Sequence, residues 1–288
     1  MRIDVITLFP EMFDALKASI PGRAQAAGAL TLHAHQLRRH AINKHGQVDD
    51  APYGGEAGMV LRPEPLRAAL QEVLDIPEDI SVAADAVAGR APGAKPHVVY
   101  MSAQGALLTQ RRAAELAALP HLVVVCGHYK GVDQRFLDAY VDEEISLGDY
   151  VLSGGELPAM VLIDSVARLL PGVLGDIDSA DTDSHAVPGR LGWPVYTRPQ
   201  TFAGREVPEV LLSGHHARIE DWRTLESLRL TRERRPELIE AFPLTARERD
   251  LVDPPPKKKR RNRSPDGIEK APDGHDERMP PPGSGREK

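Results

Sequence analysis

The sequence predicts an α/β protein built on a parallel sheet and followed by a small helical domain. Three observations carry this. Two short apolar runs, HVVYMS (97–102) and HLVVVCG (121–127), flank a helical stretch, TQRRAAELAAL. Strand–helix–strand order implies a crossover and parallel pairing, and runs apolar throughout imply burial on both faces. The segment DEEISLGDYVLSGGELP (142–158) forms a third such unit and leads through a Gly-rich turn into PAMVLIDSVARLL. From about residue 191 the chain changes to short polar helical segments.

The elements follow in order. IDVITLF (3–9) reads as a first strand, β-branched and ended by Pro10, after which Pro10-Glu11 opens a helical pattern to about Lys17. LTLHAHQL (30–37) alternates as a second strand, and PEPLRAALQEVLD (63–75) has helical periodicity with proline near its start. Between them, residues 43–59 are polar and Gly-rich; so long a loop is usually functional or disordered. Residues 81–96, rich in Ala, Gly and Pro, read as a surface excursion. Pro158 sits at a tolerated first-turn position of the apolar helix, and Pro171-Gly172 stops it. Residues 175–190, with Asp176, Asp178, Asp181 and Asp183 among small residues, read as an exposed linker. HHARIEDWRTLESLRL, RPELIEAF and TARERDLV are the helices of the second domain. The expected domains are therefore 1–174, a flexible linker 175–190, a helical domain 191–252, and a disordered basic, Pro-rich tail 253–288.

Composition narrows the function. The chain has 288 residues, 41% hydrophobic and 27% charged, and one cysteine, so an intrachain disulfide is excluded. No apolar run approaches the length of a membrane span, and the N-terminus is a poor signal peptide, so a cytoplasmic protein is expected. The net charge is −6, but the tail carries ten basic and seven acidic residues while the rest carries 26 and 35. RNA binding would thus depend on local patches and shape. GxGxxG after a strand and GxxxxGK[ST] are absent, which removes the main support for dinucleotide and P-loop readings. His215-His216 reads as a surface pair.

Three Gly-rich loops stand out: 102–105, 127–131 and 146–155. They follow strands of one sheet, so they can converge at one edge and bring backbone N–H and C=O groups close to a small ligand. Arg168 interrupts an apolar helix, either as a snorkelling residue near its C-terminus or as a functional cation. The acidic stretch 176–183 is either a solvated linker or the source of a general base or metal-binding carboxylate.

LFPEMF (8–13), VDDAPYGG (48–55), EEISLGDYVLSGGELPAMVLIDSVAR (143–168), LLPGVLG (169–175) and VPEVLLSGHHARI (207–219) resemble the bacterial tRNA (guanine-N1)-methyltransferase family, over residues 1 to about 252. The resemblance implies a SPOUT-type parallel sheet with a deep trefoil knot, a rare exception to unknotted topology, made by the three loops. It also implies a bent S-adenosylmethionine in that knot and an obligate homodimer with shared active sites. The methyl group would go to N1 of the guanine immediately 3′ of the anticodon, with the anticodon arm held by the helical domain and linker. Asp183 aligns with the family's proposed general base and Arg168 with the arginine that contacts the guanine. Cofactor contacts carry over to Tyr100, Ser102, Gln104, Gly127, Tyr129, Lys130, Ser146, Leu147, Gly148, Tyr150, Leu152, Gly154, Gly155 and Pro158. Magnesium is associated with the family, and no ligand spacing here demands a metal.

The chain departs from the family pattern in functional loops. GHYKGVD replaces the usual GRYEGID, putting His128 and Lys130 where the family has arginine and a carboxylate. Lys130 would reverse a charge beside a sulfonium, unless it pairs with Asp133, Asp142 or the cofactor carboxylate. Glu56 stands in place of a third glycine and would be strained if that position needs a positive φ. In AINKHGQ (41–47) only Lys44 and His45 keep the family pattern. Two readings follow: an active enzyme that tolerates these changes, or a divergent paralogue that binds cofactor and RNA with weak, redirected or no catalysis.

Overall fold

The computed structural model describes residues 1–75, 96–174 and 182–253. The surface excursion at 81–95, the linker carboxylates Asp176, Asp178 and Asp181, and the tail from 254 lie outside the described residues. Residues Met1–Leu244 make one unit and a second begins at Thr245.

Five strands form the main sheet: β1 (Arg2–Thr7), β2 (Thr31–Gln36), β5 (His97–Leu107), β6 (His121–Cys126) and β7 (Glu143–Ser146), in the order β2-β1-β6-β5-β7. All pairings are parallel, as the strand–helix–strand pattern requires. Side-chain alternation divides β1, β5 and β6 between two cores. Ile3, Val5, Val99, Met101, Leu122 and Val124 face one cluster, with Ala159, Leu162, Ile163 and Val166 of α5 (Glu156–Ala167). Ile6, Val98, Tyr100, Val123 and Val125 face the other, with Leu66, Ala69 and Leu70 of α2 (Pro63–Leu74) and Phe136 of α4 (Gln134–Tyr140). The sheet is therefore covered on both faces, and each fully buried aliphatic side chain contributes about 1.5–3 kcal/mol. The α3 helix (Gln110–Ala117) is the crossover between β5 and β6; Thr109 caps it by accepting from Arg112 N.

Several elements differ from the expectations. The helical pattern at Pro10–Lys17 is a 3-10 helix, and an unforeseen α1 (Ser19–Ala26) follows it. Its Pro21 falls in the first turn, where a missing N–H costs nothing. The α4 helix was also not foreseen, although Asp133 caps it by accepting from Arg135 N. Residues 49–50 (β3) and 60–61 (β4) pair as a short antiparallel ribbon closing the Gly-rich loop. The segment after 191 does not begin with helices: β8 (Thr201–Phe202) and β9 (Arg205–Glu206) form a hairpin, turned at Ala203-Gly204 with both φ positive. Helices then follow as α6 (Glu209–Leu212), α7 (His216–Arg234) and α8 (Pro236–Ala241). In the second unit, α9 (Ala246–Val252) opens with a Thr245–Glu248 capping box.

Asp4 and Arg190 are charged groups buried with hydrogen-bond partners. Asp4 in β1 is inaccessible; it accepts from His35 Nε2 and His121 Nε2, each at 2.7 Å, and from Arg2 Nε at 2.6 Å. Burial alone would raise its pKa, but the hydrogen bonds from His121, His35 and Arg2 outweigh burial and hold the carboxyl far below the usual range. Arg190, nearly buried, donates to the carbonyls of Gly189 and Phe242, and Leu191 N donates to Thr231 Oγ1 on α7 at 2.9 Å. These bonds seat residues 189–191 against α7 and the end of α8.

Candidate functional site at the strand ends

The carboxyl ends of β5, β6 and β7 deliver three loops to one place, as parallel topology dictates. In β5 the register against β7 breaks: Ile145 pairs with both Met101 and Ala106, so Ser102–Gly105 stand off the sheet. After β6, Gly131 N donates to His128 O at 3.0 Å, which tightens the 127–131 loop around Tyr129 at φ +60°. After β7, the Ser146 hydroxyl both donates to Gly148 O and accepts from Gly148 N, each at 3.1 Å. The second and third loops are tied directly: Gly155 N donates to Gly127 O at 2.8 Å, and His128 bridges Gly154. Glycine is required at 155, because a Cβ there would lie 2.7 Å from the Cys126 Cα.

Beneath the loops lies a carboxylate that sequence reasoning did not single out. Glu156, 2% exposed at the start of α5, accepts from Thr7 Oγ1 at 2.6 Å and pairs with His128 Nε2 at 2.8 Å. Thr7 in turn accepts from Phe9 N at 2.9 Å. One buried group thus joins the ends of β1 and β6 to the start of α5. A carboxylate at a helix N-terminus also suits the dipole. An acidic residue opening so apolar a helix was the available signal. Burial, then the nearby Glu144 and Cys126, push the Tyr100 hydroxyl up to about 12, so it remains a donor at neutral pH. Burial pushes the Cys126 thiol well up.

The result is a cleft of about 340 Å³, and all fourteen residues expected to touch the cofactor line it: Tyr100, Ser102, Gln104, Gly127, Tyr129, Lys130, Ser146, Leu147, Gly148, Tyr150, Leu152, Gly154, Gly155 and Pro158. Arg168 and Asp183 are not in its wall. They form an ion pair with each other, Arg168 Nη2 donating to Asp183 Oδ2 at 2.7 Å, both partly exposed. Arg168 occupies the C-cap of α5, which leaves its cation at the favourable end of the helix.

The departures resolve differently from expectation. Lys130 does not pair with Asp133 or Asp142. Asp133 is held by Arg135 at 2.7 Å, and Asp142 accepts from Val98 N at 2.8 Å. The Lys130 ammonium lies 3.6 Å from Glu56. The condition for strain at Glu56 is not met; the positive φ angles around it belong to Gly54, Gly55 and Gly58. His45 sits in a turn where its N–H donates to Asn43 Oδ1, and His215 and His216 are exposed at the start of α7.

Among the described residues, no helix is long and apolar enough to cross a membrane. The described surface carries the exposed apolar side chains Leu107, Tyr150, Val151, Leu157 and Val161, the second and third of which line the cleft.

Residues 1–241 match the model of the family described as tRNA (Guanine-1)-methyltransferase TrmD. The chain is 50% identical over 254 residues to the tRNA (guanine-N(1)-)-methyltransferase of Halalkalibacterium halodurans, covering 88% of this chain and 97% of that one. It is 49% identical over 253 residues to the protein of the same name from Brevibacillus brevis, covering 88% and 97%. With that of Desulfitobacterium hafniense it shares 50% over 253 residues, covering 88% and 90%.

Proposed function

The chain belongs to the TrmD family of tRNA (guanine-1)-methyltransferases, and we propose that its cleft holds S-adenosylmethionine while Arg168 and Asp183 take the guanine. The protein is a tRNA (guanine-N1)-methyltransferase. The observation that carries the site assignment is the convergence of fourteen cofactor candidates on one cleft. The donor fits the residues present. A Cβ at Gly127 would lie 2.5 Å from the Tyr100 hydroxyl, so glycine there keeps room at the cleft floor. Backbone groups and the hydroxyls of Ser102 and Ser146 suit the neutral polar edges of an adenosine, while Leu147 and Leu152 suit its faces. The family fold further implies that the three loops close a trefoil knot.

The bound donor supplies an electrophilic methyl group. N1 of guanine carries a proton and attacks poorly, so a base must remove that proton while O6 gains negative charge. Asp183 accepts the N1 proton, and Arg168 donates to O6. Their ion pair is complementary to the guanine edge: inserting that edge exchanges one bond between the two side chains for one from Arg168 to O6 and one from N1–H to Asp183.

Because this pair lies outside the wall of the cleft, the reading joins one chain's cleft to the partner's pair in a homodimer with shared active sites. Exposed apolar side chains at the cleft, Tyr150 and Val151, support such an interface. Exposed Arg218, Arg232 and Arg234 on α7 fit phosphates of the anticodon arm, with the target guanine immediately 3′ of the anticodon. The enzyme works in the cytoplasm, where tRNA is processed. Asp176, Asp178 and Asp181 of the acidic linker, for which a metal-binding carboxylate was one reading, lie outside the described residues.

The test is transfer of a labelled methyl group to a tRNA transcript with guanine 3′ of the anticodon, with Asp183→Ala alongside. Label at N1 that is lost in the variant supports the reading. Label unchanged in the variant removes Asp183 as the base.

A further inference from the structure

We propose that Glu56 is a positioning residue whose carboxylate holds the Lys130 ammonium against the 54–59 loop and so makes a lysine on the cleft wall compatible with a positively charged methyl donor. The inference rests on the reading of the cleft as the donor site.

Among the described residues that line the cleft, Lys130 is the one lysine or arginine and Glu144 the one carboxylate. A free ammonium there would repel a sulfonium. The repulsion acts on the donor alone, because the product after transfer is a neutral thioether. The structure restrains the lysine in three ways. Its N–H donates to Met59 O at 2.9 Å. Its stem lies along Gly58, where a Cβ would come within 3.0 Å of the lysine Cγ and where φ is +108°. Its ammonium lies 3.6 Å from Glu56 Oε2. The neighbouring bonds, Leu61 N to Gly131 O at 2.9 Å and Asp133 N to Leu61 O at 3.0 Å, fix the 58–61 strip along the 130–133 strip.

An exposed ion pair of this length adds little to stability. Its role here is electrostatic: it places a negative charge beside the one lysine or arginine among the described residues of the wall. The carboxylate arrives from a different loop, so cleft charge depends on how the Gly-rich loop is seated. The two sequence departures at 56 and 130 become one compensated feature.

The experiment is calorimetric titration of the full chain with S-adenosylmethionine and, separately, S-adenosylhomocysteine. The parent is compared with Glu56→Gln, Lys130→Met and the double variant. Glu56→Gln is expected to weaken the donor roughly threefold more than the product. The difference should shrink at high salt. In the Lys130→Met background, Glu56→Gln should leave the donor-to-product ratio unchanged. Equal weakening of both ligands, or a ratio change that persists without the lysine, overturns the proposal while leaving the cleft reading intact. Failure of both ligands to bind the parent removes the cleft reading and the proposal with it.

Discussion

The cleft and the Arg168–Asp183 pair are finished to different degrees. The cleft loops are joined by backbone hydrogen bonds and stand on a buried carboxylate with two partners. The pair is partly exposed, one member capping a helix and the other in a loop, and each satisfies the other. A small donor needs a rigid, prebuilt cavity, since every rotor frozen on binding costs affinity. On the proposed reading, groups that receive a base from a large RNA must stay reachable, and an ion pair keeps them in order until the base displaces it. On that reading the donor cavity is built within one chain, and the pair is completed by the substrate.

The sharpest way to break this contrast is Asp183→Ala. Single-turnover methyl transfer should fall by roughly 10²–10⁴-fold, with donor affinity by calorimetry unchanged. A matching loss of donor affinity would mean that the two regions are one. Next in size is Glu156→Ala, which leaves the Thr7 hydroxyl and the His128 ring without their buried acceptor. Urea unfolding should show a loss of about 3 kcal/mol, and donor affinity should fall with it; Thr7→Val should cost about 1 kcal/mol. A stability loss without an affinity loss would separate the carboxylate from the cleft.

Acid should act on the sheet rather than on the site. The Asp4 carboxyl is held below its unfolded value of about 3.9, so its contribution is complete above that pH and is lost as pH falls below it. Asp4→Asn should flatten the stability curve below about pH 4. An unaltered acid limb would show that the histidine and arginine bonds to Asp4 contribute nothing. The smallest effect belongs to the RNA side: Arg232→Gln should lower the slope of log tRNA affinity against log salt by about 1, without touching donor binding.

Much of this was legible in the sequence, for identifiable reasons. Runs such as HLVVVC have one interpretation once a helix of the right length precedes them, and parallel order then sends their following loops to one edge. The fourteen cofactor candidates came from the family resemblance, and parallel order is why the structure gathers them on one cleft. The α1 helix was hidden by Pro21-Gly22, which reads as a breaker unless its place in the first turn is known. The α4 helix carried its Asp133 cap in plain view but is too short for periodicity to register. The pairing of Lys130 with Glu56, and of Glu156 with Thr7 and His128, was not legible. Each depends on which loops meet, and spacing along the chain is silent on that. Whether Glu56 is strained was likewise open in the sequence: a missing glycine signals strain only where φ is positive, and here the neighbouring glycines carry that conformation.

The lone cysteine gives the molecule a clock. Cys126 ends β6, is fully buried, and its backbone is the surface on which Gly155 rests. A thiol reagent can reach that sulfur only when the core around it opens, since Cys126 belongs to the buried cluster that includes Ala159 and Leu162 of α5. The modification rate of the native protein therefore counts spontaneous openings of the core beneath the cleft, without an introduced probe. On the proposed reading, a donor seated across Gly127 and Gly155 braces the start of α5 and would slow that count, making its binding readable as protection of a single atom.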